Sequence, residues 1–160
     1  MKPAATLTML SLAVLLGGCA GARSLVAGQS TEADVRARMG APTDTRTDGG
    51  DKLWEYATGP EGFHTRLVRI GADGRVKGVT ELLTEEQFAK ITPGQTTRAE
   101  VRTLLGRPAD ETNYRAGLTW SWRHLKGGVQ PGYMIVKFNP NDTVAEKIII
   151  VDQPGDSRDD

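Results

Sequence analysis

The sequence is poor in the residues that most often carry chemistry. Its 160 residues include one cysteine and two histidines, and 20 basic side chains balance 20 acidic ones. A single thiol excludes an intrachain disulfide framework. His64 and His124 have no second histidine or cysteine at ligand spacing, which argues against a metal site. A formal net charge of zero gives no electrostatic reason to expect nucleic acid or an anionic membrane surface as a partner.

Motifs of known catalytic chemistry are also missing. The chain has no Gly-x-Ser-x-Gly nucleophile turn, no His-Glu-x-x-His pair and no phosphate-cradling Gly-Lys-Ser/Thr run. Residues 48–51 (DGGD) and 139–142 (NPND) offer oxygen ligands, but too few for calcium, so we interpret them as turns. The sequence therefore predicts a protein that is not an enzyme, with no catalytic residues, no metal and no diffusible cofactor.

The main apolar stretch of the chain is short. Residues 4–16 follow Lys2 and form a run of 13 mostly apolar residues, whereas a membrane-spanning helix needs about 20. The run therefore predicts a cleaved export signal over residues 1–18. It leads into residues 16–19 (LGGC), which resemble the lipobox of bacterial lipoproteins. An ordinary secretory signal with a later cleavage site is the alternative.

The resemblance to lipoproteins implies a lipid anchor. In that family the cysteine that Cys19 matches is diacylated, and the new amino terminus takes a third chain. Each buried methylene contributes about 0.8 kcal/mol, so three chains hold a protein to a membrane. Residue 20 is alanine and not aspartate, as in lipoproteins destined for the outer membrane. The resemblance thus implies an outer-membrane protein at the periplasmic face, with covalent acyl chains on Cys19.

A 17-residue segment occurs twice in the chain. Residues 28–44 read GQSTEADVRARMGAPTD and residues 94–110 read GQTTRAEVRTLLGRPAD, with nine of 17 positions identical at an offset of 66. Two copies of one supersecondary unit are therefore predicted. The predicted divisions are a first repeat with the anchor over residues 19–82, a second repeat over 83–151 and a disordered acidic tail over 152–160.

Each copy predicts a short helix with well-defined ends. A threonine and a carboxylate stand three residues apart at the start, as in a capping box, and a glycine followed by a proline marks the end. In the second copy, residues 84–91 predict a preceding helix, whereas the corresponding residues 23–27 suit no more than a turn. The residues of this repeated pattern are Gly28, Thr31, Asp34, Gly40, Pro42 and Trp54, matched by Gly94, Thr97, Glu100, Gly106, Pro108 and Trp120.

The hydrophobic period changes to two after each proline, which predicts strands. We expect an α+β fold of two tandem repeats, each a helix–helix pair packed on an antiparallel meander of three to four strands. The predicted strands are 44–47, 52–57, 63–70 and 75–79 in the first copy, and 110–114, 118–124, 133–138 and 143–151 in the second.

These motifs resemble the SmpA/OmlA (BamE) family of outer-membrane lipoproteins. The matching segments are 91–96 (ITPGQT), 104–108 (LGRP preceded by Leu104), 120–122 (WSW) and 138–139 (FN), with more divergent counterparts at 26–28, 39–42, 54–56 and 70. The resemblance implies a non-enzymatic accessory subunit of the machinery that inserts β-barrels into the outer membrane. The tandem arrangement is similar to that of β-lactamase inhibitor proteins, which implies, as an alternative, a periplasmic module that binds an enzyme through its open sheet face.

Strand alternation assigns the candidate residues to two faces. Trp54, Tyr56, Trp120 and Trp122 are expected in the core beneath the helices, although a ligand-gripping aromatic face is an alternative. The opposite face is expected to be open and to bind a protein partner, unless it is merely solvated. The predicted partner-binding residues are Leu53, Glu55, Leu67, Arg69, Ser121, Arg123, Tyr133, Ile135 and Lys137.

Overall fold

The computed structural model describes residues 24–59, 61–115 and 117–152. The predicted export signal, Cys19 and nearly all of the acidic tail lie outside these ranges. The first repeat contains α1 (Glu32–Met39), β1 (Asp44–Asp48), β2 (Asp51–Ala57), β3 (Thr65–Ile70) and β4 (Val76–Glu81). The second contains α2 (Glu85–Ala89), α3 (Arg98–Leu105), β5 (Asp110–Tyr114), β6 (Gly117–Lys126), β7 (Gln130–Phe138) and β8 (Val144–Val151).

The structure confirms the α+β class and the two tandem repeats. Each repeat forms a four-stranded antiparallel meander, in the order β1-β2-β3-β4 and β5-β6-β7-β8. Each predicted strand is present, and its ends differ from the prediction by at most three residues. The prediction of a helix pair in both repeats is wrong for the first one as far as it is described, because residues 24–30 form only irregular chain and a turn. The hydrogen-bonded strands of the described ranges form two separate sheets.

The two long helices begin in the same way. The Thr31 hydroxyl accepts from the Asp34 N–H at 3.3 Å, and the Asp34 carboxylate accepts from the Thr31 N–H at 2.8 Å. Thr97 and Glu100 form the same capping box, with distances of 3.3 and 2.7 Å. The backbone N–H and then the hydroxyl of each threonine hold the pKa of Asp34 and of Glu100 below its usual range. The capping-box prediction is confirmed in both repeats.

The two helices also end in the same way, at a glycine whose backbone conformation disfavours any other residue. Gly40 has φ 76° and ψ −155°, and Gly106 has φ 77° and ψ −167°. A side chain is strongly disfavoured in this backbone region, so the glycine at each helix end follows from the turn that leads into the sheet. Among the helices of the described ranges, none has the length and apolar character needed to cross a bilayer.

The aromatic side chains of the central strands lie in the cores beneath the helices. Trp54 and Tyr56 belong to the first core, and Trp120 and Trp122 to the second. The Tyr56 hydroxyl donates to Gly40 O at 3.2 Å, and Trp122 Nε1 donates to Arg107 O at 3.1 Å. Each ring thus satisfies a carbonyl just beyond its helix, which explains why this position carries an aromatic side chain with a polar tip. The predicted placement of these aromatics in the core is confirmed.

Candidate binding surfaces

The sheet face opposite the helices differs between the two repeats. In the first repeat this face was expected to be open, yet Leu53 is 2% and Glu55 1% exposed. The prediction that these two residues present a binding surface is wrong. Glu55 is covered by the second repeat, because Arg102 of α3 and the Arg107 N–H just after α3 lie against its carboxylate.

Glu55 is the centre of the contact between the repeats. One carboxylate oxygen accepts from the Arg107 N–H at 2.7 Å, and the other accepts from Arg102 Nη1 at 2.8 Å and Arg46 Nη1 at 3.0 Å. Arg102 also pairs with Asp44. A side-chain carbon at Gly106 would come within 2.9 Å of the Glu55 carboxylate carbon. This buried charge is therefore fully paired, and it fixes the second repeat on the first.

The other two residues predicted to bind a partner from the first sheet are Leu67 and Arg69, and Arg69 forms ion pairs within that sheet. Leu67 is half-buried, and Arg69 donates to Asp48 at 2.8 Å and to Asp51 at 3.0 Å. Lys77 donates to the other oxygen of Asp51 at 2.7 Å, and Lys77 and Arg69 hold the pKa of the Asp51 carboxyl below its usual range. These ion pairs connect all four strands at one end of the first sheet.

The second sheet presents an uncovered surface, which we call the open face. The register of β6, β7 and β8 places side chains of all three strands on it. Tyr133 is 38% and Ile150 46% exposed, Lys137 is also exposed, and their neighbours are half-buried. Five of the nine predicted residues lie here. The residues of the open face are Ser121, Arg123, Tyr133, Ile135, Lys137, Ile148 and Ile150.

Arg123 connects the open face to the first repeat. Its guanidinium lies 4.4 Å from the centre of the Phe63 ring and 5.8 Å from that of Tyr133, and it pairs with Glu61. Sequence reasoning missed Phe63 as a site residue, although it began the predicted strand 63–70; in the structure it lies in the loop before β3. It also missed Ile148 and Ile150, although alternation along the predicted last strand contained the signal that would have placed them on this face.

A cleft of about 730 Å³ lies between the two repeats. Ala57 and Thr65 line it from the first repeat, and Ala109, Trp120 and Arg123 from the second. Trp120 is 8% exposed, and its Nε1 has no acceptor among the described residues. Arg123 Nε is likewise buried without an acceptor there. Both unpaired donors belong to residues that line the cleft.

The two histidines occupy unrelated environments. His124 is 1% exposed and packs edge-on against Phe88 with 4.9 Å between ring centres. Burial lowers its pKa from the ordinary value, and the charge of Glu85 opposes that shift only in part. His64 lies beside Glu81, at 3.4 Å from its carboxylate. Within the described ranges, no three His, Cys, Asp or Glu side chains group in a way that could hold a metal ion.

Comparisons with known proteins give little. No family model matches the chain, and no curated protein matches it. A DUF4309 family protein (YjgB) from Bacillus subtilis matches with a TM-score of 0.30 and 16% identity, over 82% of this chain and 84% of that one. An extracellular protein containing an SCP domain from Bacillus anthracis matches with a TM-score of 0.31 and 13% identity, over 96% of this chain and 50% of that one. Likenesses this weak carry no argument about function.

Proposed function

We propose that this chain is a lipid-anchored, non-enzymatic protein of the outer membrane that binds a protein partner at the periplasmic face. The acyl chains on Cys19 determine where the protein acts, and the open face of the second sheet determines what it binds. The most specific version is an accessory subunit of outer-membrane β-barrel assembly, which rests on the resemblance of the repeated motifs to the SmpA/OmlA (BamE) family.

The observation that supports binding is the contrast between the two sheet faces. One side of the first sheet is covered by the second repeat, whereas Tyr133 and Ile150 of the second sheet remain 38% and 46% exposed. Tyr133, Ile135, Ile148 and Ile150 form an aromatic and aliphatic group with Arg123 at one side and Lys137 at the other. An apolar centre with basic and aromatic neighbours is typical of protein interfaces.

The anchor and the binding surface make a coherent pair. A protein held by three acyl chains diffuses in two dimensions, so a modest interface is enough to keep it on a membrane-bound partner. The formal net charge of the sequence is zero, so no large net field steers a partner from a distance. The lack of catalytic sequence motifs is in line with a binding role.

Photocrosslinking in the intact envelope tests this proposal. We would replace Tyr133 by a photoreactive phenylalanine and, as the matched control, replace Ile149, which is 45% exposed on the opposite face of the same sheet. The expected result is a discrete crosslinked partner at Tyr133 and none at Ile149. The Cys19→Ser variant should release the protein from the membrane and lose the crosslink.

The identity of the partner separates the versions of the proposal. Recovery of β-barrel assembly components supports the accessory-subunit role, and recovery of a single enzyme whose activity falls on binding supports the inhibitor-like role. Equal crosslinks at Tyr133 and Ile149 would contradict the open face as the binding surface. A membrane fraction unchanged by Cys19→Ser would contradict the anchor.

A further inference from the structure

Strand β6 extends beyond the strand that pairs with it on one side. β5 pairs with β6 from Tyr114–Gly117 to Asp110–Ser121, and β6 continues to Lys126. Tyr114 and Gly117 flank a two-residue connection, so this pair exchanges backbone hydrogen bonds. In an antiparallel ladder every second pair does the same, and Asp110 with Ser121 is therefore another such pair. The backbone groups of Arg123, two residues farther along, therefore point to the same side as those of Ser121. No strand lies beside them there.

The first repeat shows how such an end is normally closed. There the equivalent N–H, that of Ala57, donates to the Thr43 hydroxyl at 3.1 Å, and this hydroxyl donates in turn to Glu55 O at 3.0 Å. The residue that matches Thr43 at an offset of 66 is Ala109, which has no acceptor in its side chain. The Arg123 N–H consequently has no hydrogen-bond partner in the described part of the chain.

This open edge lies in the cleft between the repeats. Arg123 and Ala109 both line the cleft, and Gly59 and Gly62 form part of the opposite wall. Trp120 and Arg123, whose buried Nε1 and Nε have no acceptor among the described residues, both line this cleft. The acceptors that line the cleft are in part already used, since Glu55 binds three donors and Asp44 pairs with Arg102.

We propose that the cleft receives an extended segment of a partner protein, which adds a strand to β6 at Arg123. An extended chain offers the alternating carbonyl and N–H groups that the unpaired edge requires. The cleft of about 730 Å³ has room for a few residues of such a segment. The inference rests on the proposed function, since it assumes that the ligand is a protein, and it names how part of that protein is held.

The substitution Ala109→Thr tests the edge directly. It restores at the second repeat the hydroxyl that Thr43 supplies at the first, and Ala109 is exposed enough to accept the larger side chain. Ala109→Val has the same shape without the hydroxyl and serves as the control. In the free protein we expect rapid hydrogen exchange at the Arg123 amide in the wild type and in Ala109→Val, and exchange at least about 10-fold slower in Ala109→Thr. A wild-type Arg123 amide already as protected as that of Ala57 would overturn the inference.

A model strand then tests binding. The probe is the capped hexapeptide acetyl-(Thr-Val)₃-amide, titrated to millimolar concentration and followed by the amide resonances of the protein. We expect shifts centred on Arg123 and Leu125, at least 10-fold weaker affinity in Ala109→Thr than in Ala109→Val, and loss of binding when alternate peptide nitrogens are methylated. Absence of shifts at Arg123 and Leu125, or shifts confined to the outer edge of β8, overturns the inference. Neither result affects the proposed function, which depends on the crosslink at Tyr133.

Discussion

The two repeats share their local devices but differ in how much they bury. Both have a capping box, a glycine at the helix end and an aromatic donor to the following carbonyl. Among the described residues, the buried core cluster of the first repeat has six members and that of the second has 11. The difference comes largely from the region of α2, which adds Phe88 and Ile91, and from α3, which buries Leu105 where α1 has the half-buried Met39.

The first repeat compensates for its small core through its other face. Glu55 of β2 is buried against the second repeat, where it binds Arg102 and the Arg107 N–H. The position equivalent to Glu55 in the second sheet is Ser121, which has no carboxylate to hold a further repeat. Two copies of one sequence pattern thus have distinct roles: the first depends on its neighbour, and the second leaves a face free for a partner.

The largest effect is expected for loss of the most buried ring of the second core. Trp122→Ala should lower the free energy of unfolding by about 3–5 kcal/mol, because it removes a ring that is 1% exposed and leaves a cavity. The matched change Tyr56→Ala should cost less, since the ring is smaller, is 8% exposed and belongs to the smaller core. Urea denaturation followed by circular dichroism measures both. An equal or larger loss for Tyr56→Ala would contradict the inequality of the cores.

The next largest effect is expected at the contact between the two repeats. Glu55→Ala should cost about 3 kcal/mol, because it leaves the guanidinium groups of Arg46 and Arg102 and the Arg107 N–H without their shared acceptor. Ser121→Ala, the matched change in the second sheet, should stay within about 0.5 kcal/mol. A double-mutant cycle with Arg102→Ala measures how much of this loss comes from the interaction between Glu55 and Arg102. Equal losses at the two positions would mean that the repeats do not depend on this contact.

The sequence predicted the fold well because its signals are local. The capping boxes, the glycine ends and the alternation after each proline are all properties of neighbouring residues, and each corresponds to an element of the structure. Burial of Trp54 and Trp120 followed from the same alternation, since the helices need an apolar face to cover. The absence of a helix before α1 was also visible in the sequence, because residues 24–30 lack the apolar stripe that marks residues 84–91.

The candidate site was predicted only in part, because it depends on contacts between distant residues. Strand alternation placed Leu53 and Glu55 of the first sheet, like Ser121 and Tyr133 of the second, on the sheet face opposite the helices. That assignment of faces is right. Alternation gives no information about what lies above a face, and the residues above Glu55 are 47 and 52 positions away in the chain. The open edge at Arg123 could be found only from the structure. The sequence did show that Ala109 replaces Thr43 at the equivalent position.

Lowering the pH should reduce the stability of the protein through His124, which belongs to the second repeat. Its folded-state pKa lies below the ordinary value of 6.5 because the ring is buried, so the unfolded chain takes up a proton at higher pH than the folded one. The free energy of unfolding should therefore fall as the pH drops below about 6.5, by at most about 1.4 kcal/mol per pH unit. The equivalent position in the first repeat is Thr58, which does not titrate.

Urea midpoints at several pH values between 7.5 and 5.5 measure this effect. The control is His124→Phe, which keeps an aromatic ring against Phe88 and removes the titrating group. Its midpoint should change much less over the same range. A wild-type midpoint that does not fall between these values would show that the folded protein accommodates a charged His124 beside Glu85.

The smallest effect should be the same in both repeats. Thr31→Ala and Thr97→Ala each remove the hydroxyl that accepts from the third residue of a helix, at 3.3 Å in both cases, and each should cost about 1 kcal/mol. Thr→Ser at either position keeps the hydroxyl and should cost little, which makes it the control for urea denaturation. Equal losses would mean that the repeats differ in what they pack against and not in how their helices begin. A clearly larger loss at Thr97 would instead mean that the strength of this cap depends on the core beneath α3, because the two capping boxes have the same geometry and only the packing beneath them differs.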